Sequence, residues 1–173
     1  MDDPASKLEG QLEGLPQWLA AEFHKTAPSI AQVLTEANFE VWAAKGIGLA
    51  NVSTRSWEAA ADYFRASPDV LKTLRFHHFL NWVEWGEMLC AESPMLCSSF
   101  FRATPGVLPF LAPYEIGAWA KLGKSLHKGT WRSASLASSF FEISPRLVSC
   151  LGMDEMEQLV QFLDKLSVYS YEV

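Results

Sequence analysis

One pattern, written three times, constrains what this chain can fold into more than any other feature. The middle copy runs Trp82-Val-Glu-Trp-Gly86-Glu-Met-Leu89, then Phe100-Phe101-Arg-Ala-Thr104-Pro105-Gly-Val107-Leu108, ending at Leu111. The first has Trp42, Gly46 and Leu49, then Tyr63-Phe64-Arg-Ala-Ser67-Pro68-Asp-Val70-Leu71, ending at Leu74. The third has Trp119, Gly123 and Leu126, then Phe140-Phe141-Glu-Ile-Ser144-Pro145-Arg-Leu147-Val148, ending at Leu151. The tryptophans lie 40 and 37 positions apart and the prolines 37 and 40, so the middle copy is short between Leu89 and Phe100. A fixed period of this length marks a repeat architecture, in which each unit buries its apolar face only by stacking on the next.

The ends follow the same phase. Pro28 lies 40 residues before Pro68 and is followed by Ile30 and Leu34, the second half of a copy. After Leu151 the phase reaches Leu159, Leu163 and Leu166, which keep the apolar positions and lose the glycine. Residues 152–173 read as a degenerate first half that closes the stack, or as the stub of a longer protein; terminal repeats meet water on one side and diverge.

The expected class is therefore all-α: an α-solenoid of 37–40-residue helical repeats, near the armadillo and HEAT types, with three full copies and a half-copy at each end. The expected division is a flexible N-terminus over 1–14 and one helical domain over 15–173. Its copies fall at about 35–74, 75–111 and 112–151, with caps at 15–34 and 152–173. Each copy divides on paper into three helical pieces. The first, with Thr35 as its N-cap in copy one, carries the tryptophan and, four residues on, a glycine that suggests close approach of a neighbouring helix beneath the indole. The second begins at Ser53, at Ser93-Pro94 or at Gly129-Thr130, and ends at the hydroxyl–proline pair, because the residue before proline is disfavoured in the α region. The third is a short piece capped by that same hydroxyl.

Composition excludes several function classes. Apolar residues make up 49% of the chain, ample for a packed core. A net charge of −6 argues against a nucleic-acid partner, which needs clustered Lys and Arg. The start lacks the basic and apolar regions of a signal peptide, and no apolar run reaches the roughly 20 residues of a membrane span, so a cytoplasmic location is expected. Cys90, Cys97 and Cys150 lack Cys-x2-Cys spacing, which points to buried reduced thiols; the separation of Cys90 and Cys97 across a helix turn leaves a redox pair open.

No catalytic constellation emerges. His77 and His78 are adjacent and so point about 100° apart on a helix, which does not suit two ligands of one metal. There is no Gly-x-Ser-x-Gly turn and no phosphate loop. No enzyme activity, metal or cofactor is expected. The Ser/Thr-Pro pairs at 67, 93, 104 and 144 read as caps rather than phosphorylation sites. The arginines offer more. Arg55 and Arg132 occupy matching phases, and so do Arg65 and Arg102, so each pair would lie in a row able to receive a protein partner's carboxylates. Trp85 and Trp131 stand outside the repeated tryptophan positions, where they would line a pocket between helices.

The string Trp-x3-Gly-x2-Leu, followed by Trp-x2-Ala-x2-Tyr-Phe-x2-Ser-Pro-x2-Leu, resembles helical repeats that accompany von Willebrand factor A domains in bacterial proteins of the NorD-like, nitric-oxide-reductase activation class. The likeness covers about residues 18–166. In that family the A domain carries an Asp-x-Ser-x-Ser metal site and works beside a MoxR-type AAA+ ATPase in metalloenzyme maturation. This chain has no Asp-x-Ser-x-Ser, so the resemblance implies the repeat segment alone. The expected function is a non-enzymatic protein–protein interaction scaffold, an accessory module of such a system. The alternative is a small-molecule or peptide receptor with an aromatic-lined pocket between helices.

Overall fold

The computed structural model describes residues 6–169, and among them every regular element is helical. A 3-10 turn (Ser6–Leu8) and α1 (Glu9–Leu12) precede α2 (Gln17–Ala31) and α3 (Glu36–Ala50). A second 3-10 turn (Thr54–Ser56) leads into α4 (Trp57–Thr73), followed by α5 (Phe76–Glu92) and α6 (Pro94–Val107). The chain continues through α7 (Glu115–Ser125), α8 (Trp131–Val148) and α9 (Met153–Tyr169). The helices form two layers. In one, α2, α4, α6 and α8 touch in succession; in the other, α3, α5, α7 and α9 do; α3 packs on α4, α5 on α6 and α7 on α8. No described helix is long and apolar enough to cross a membrane.

The prolines do not end helices, which corrects the three-piece reading. Pro28, Pro68, Pro105 and Pro145 lie inside α2, α4, α6 and α8, so each copy contributes two helices. An interior proline costs about 3 kcal/mol through its missing N–H and its clash with a carbonyl. Continuing the helix keeps Val70 and Leu74 in the core at 0% and 4% exposure, and each such burial stabilises by about 1.5–3 kcal/mol. Burial therefore outweighs the local preference. The hydroxyl before Pro68, Pro105 and Pro145 takes a role other than capping. Ser67, Thr104 and Ser144 donate to the carbonyls of Tyr63, Phe100 and Phe140, four residues back, at 2.7, 2.7 and 2.6 Å. Genuine caps appear where expected at Thr35 and Thr130, whose side chains accept from Asn38 and Ser133.

The core is an aromatic file between the layers. Trp42, Trp82 and Trp119 are fully buried. Each indole lies against a ring five residues before the proline of the preceding even-numbered helix: Phe23 (centroids 5.5 Å), Tyr63 (5.8 Å) and Phe100 (5.0 Å). Each is met edge-on by the phenylalanine four residues before the proline of the following one: Phe64 (5.3 Å), Phe101 (4.9 Å) and Phe141 (5.2 Å). Those same phenyl rings rest on Gly46, Gly86 and Gly123, where any Cβ would overlap them. The ring over the glycine is thus the phenylalanine, not the indole.

Residues 6–12, expected to be flexible, are helical, and Leu8 and Leu12 are each 6% exposed against the core. Residues 1–5 and 170–173 of the expected divisions lie outside the described chain. Cys90 and Cys97 are buried, but Cys150 is exposed, against the expectation that all three are inside: it follows α8 in an open loop.

Candidate binding clefts

Helix pairing brings together arginines and tryptophans that are distant in sequence, and sorts them into different roles. Arg65 on α4 bonds Glu58 and Asp62 at 3.1 Å each and Glu22 of α2 at 3.3 Å. Arg102 on α6 reaches Asp62 at 3.2 Å and Glu142 of α8 at 3.6 Å. Ser98 also donates to Asp62. A ladder Glu22–Arg65–Asp62–Arg102–Glu142 therefore ties α2, α4, α6 and α8 edge to edge. Asp62 is its centre, with a side chain 4% exposed between two guanidiniums. A buried carboxylate is tolerable only with such partners, and stripping one away costs about 3–5 kcal/mol. Arg65 and Arg102 already hold this chain's own carboxylates.

Arg55 and Arg132 do not share a cleft. Arg132 is exposed and lines neither cleft. Arg55, on the turn before α4, has no carboxylate partner among the described residues and faces a cleft of about 810 Å³ between α4, α6 and α8. Trp131, at the first turn of α8, stands on the same cleft and is 75% exposed. Met95 and His127 complete its rim, His127 lying 3.4 Å from the Ser133 hydroxyl. The carboxylates of the cleft have partners inside the protein: Glu58 with Arg65, Glu92 with Lys124 at 3.1 Å, and Glu142 with Arg102. What faces outward uncommitted is one guanidinium and one indole. The guanidinium fork suits a carboxylate, and an exposed indole face suits an apolar or aromatic side chain.

Trp85 goes elsewhere. Half-buried on α5, it packs where a Cβ on Gly117 would lie 2.8 Å from its indole nitrogen, and Lys121 sits over its ring at 5.4 Å. Its cleft, about 610 Å³, also carries His78 and Tyr114. Half-buried against α7, Trp85 is less available than the 75% exposed Trp131.

Asp62 and Met95 were not legible as functional positions. Asp62 had a signal that could have been read: a carboxylate between the run Ala59-Ala60-Ala61 and Tyr63-Phe64, in an otherwise apolar stretch of α4. No three His, Cys, Asp or Glu side chains among the described residues are grouped to hold a metal ion. Cys90 and Cys97 do meet. Their mutual hydrogen bond lowers the Cys90 thiol, while burial pushes Cys97 up. No family model, curated protein or solved structure matches this chain.

Proposed function

We propose that the chain is an α-solenoid interaction scaffold without enzymatic activity, and that its α4–α6–α8 cleft receives an extended acidic peptide segment of a protein partner. The stack of two-helix units supports the scaffold reading, because such stacks display side chains on a rigid surface while packing consumes the rest. One observation carries the site: an unpaired Arg55 and a 75% exposed Trp131 share one cleft, while every carboxylate around them is already engaged. Arg55 binds a carboxylate and Trp131 packs a neighbouring large apolar or aromatic side chain. This joins the scaffold and peptide-receptor readings in one place. The NorD-like resemblance, if it extends to function, would make the partner a component of a MoxR ATPase and von Willebrand A maturation system.

Peptide-display selection on the wild type, Arg55→Glu and Trp131→Ala proteins tests this. Both residues are exposed, so the variants keep the wild-type unfolding midpoint. The wild type enriches peptides pairing an acidic residue with a large apolar one, and each variant binds them at least about tenfold more weakly, as for a centrally placed anchor. Unaltered enrichment by both folded variants, or none by the wild type, overturns the assignment.

A further inference from the structure

The corner between α5 and α6 carries two thiols where the matching corners carry none. Counted from each core tryptophan, Cys90 aligns with Ala50 and His127; counted from each phenylalanine seated on a glycine, Cys97 aligns with Ala60 and Ala137. Ala50, Ala60 and Ala137 are at most 2% exposed, so a methyl group fills such places and packing alone does not call for sulfur. The corner is also the one where the copy is short. Ser93 both ends α5 and begins α6, with extended backbone (φ −162°, ψ 123°), and Pro94 is the first residue of α6. The Ser93 N–H donates to the Leu89 carbonyl at 2.8 Å, and the Ser93 carbonyl accepts from Leu96 and Cys97 at 3.1 and 3.3 Å. A reversal this tight holds Cys90, three positions before Ser93, against Cys97, four positions after it.

We infer that Cys90 and Cys97 form an oxidisable dithiol, which hydrogen peroxide converts to an intrachain disulfide tying the end of α5 to the start of α6. The Cys97 thiol donates a hydrogen bond to the Cys90 sulfur, which lowers the Cys90 thiol and makes it the attacking group. Burial, that same bond and the Asp62 and Glu87 carboxylates push Cys97 up, so it stays a thiol until the second step. Cys90 is 3% exposed, in the last turn of a helix whose next two residues, Ala91 and Glu92, are exposed. Peroxide is little larger than water, and a helix end opens at small cost. In the first step the Cys90 thiolate attacks one peroxide oxygen. The O–O bond breaks, and the hydroxide that leaves takes up the proton Cys90 gave, forming water. In the second step the Cys97 sulfur attacks the sulfur of the Cys90 sulfenic acid. The S–O bond breaks, and the departing hydroxide takes the Cys97 proton as the second water. Two electrons thereby pass from the pair of sulfurs to peroxide.

Intact-mass spectrometry of the full chain carrying Cys150→Ser, which removes the exposed thiol, reads the outcome. The folded protein is treated with hydrogen peroxide, then denatured and alkylated. Untreated chain takes up two alkyl groups. Treated chain takes up none, has lost two hydrogens, yields a peptide linking Cys90 to Cys97, and recovers both thiols with dithiothreitol. Adding Cys97→Ala stops the reaction at a sulfenic acid on Cys90, which dimedone labels. Adding Cys90→Ala leaves Cys97 reduced at the same dose. Both variants install the residue found at Ala50 and Ala60, and the parent chain's own mass decides if either fails to fold. Two thiols surviving a dose that fully oxidises free glutathione overturn the inference. So does oxygen added to Cys90 without the link, or oxidation of Cys97 in the Cys90→Ala chain as fast as in the parent.

Discussion

Trp42 and Trp82 occupy the same aromatic setting and are anchored by different polar groups. The Trp82 indole N–H donates to Thr104 at 2.9 Å, and Trp119 repeats this with Ser144 at 2.9 Å. Trp42 has no such bond: its indole nitrogen is buried without a partner, although Ser67 stands in the phase of Thr104 and Ser144. Instead the Tyr63 hydroxyl donates to the Trp42 backbone carbonyl at 2.9 Å. Tyr63 is the one position in its row that is not phenylalanine, the others being Phe100 and Phe140. Ring packing therefore sets where each tryptophan sits, and hydrogen bonding is adjusted locally. The first unit tolerates a buried orphan N–H, a cost of about 1–3 kcal/mol, because its rings hold the indole regardless.

The glycines test the shared part of this comparison and carry the largest effect. Gly46→Ala, Gly86→Ala and Gly123→Ala each drive a Cβ into a phenyl ring, so all three lower unfolding stability by about 1–3 kcal/mol in denaturant titrations. Gly48→Ala, also in α3 but with nothing within 4 Å, raises stability by about 0.5–1 kcal/mol. Should Gly46→Ala behave like Gly48→Ala, the first unit would not share the packing of the others. The hydroxyls test the part that differs. Thr104→Val and Ser144→Ala each leave a buried indole N–H without an acceptor and cost about 1–3 kcal/mol. Ser67→Ala removes hydroxyl bonds to Tyr63 but leaves no indole N–H newly without an acceptor, and costs about 0.5–1.5 kcal/mol. Equal losses at all three sites would break the distinction.

The helical class, the tryptophan phase and the Thr35 and Thr130 caps were legible because period and capping chemistry are local properties of the chain. The continuity of α4, α6 and α8 through proline was not. It depends on Val70, Val107 and Val148 finding a core that only the neighbouring helices create. The ring over each glycine was misassigned for a related reason: spacing within one helix shows that a gap exists, but the partner helix decides what fills it. At the candidate site, spacing grouped Arg55 with Arg132 and Arg65 with Arg102. Helix packing keeps Arg65 and Arg102 together, on Asp62, and places Arg55 on one cleft with Trp131, which spacing did not show.

Hydrogen exchange of the tryptophan indole N–H groups, followed by NMR, tests most directly whether three related units share one core. The indole protons of Trp42, Trp82 and Trp119 should exchange slowly, all three needing the helix pairs to open, while that of Trp131 exchanges at once. If any of the three exchanged as fast as Trp131, the indoles would not sit in equivalent buried places, and the account of the fold would fail.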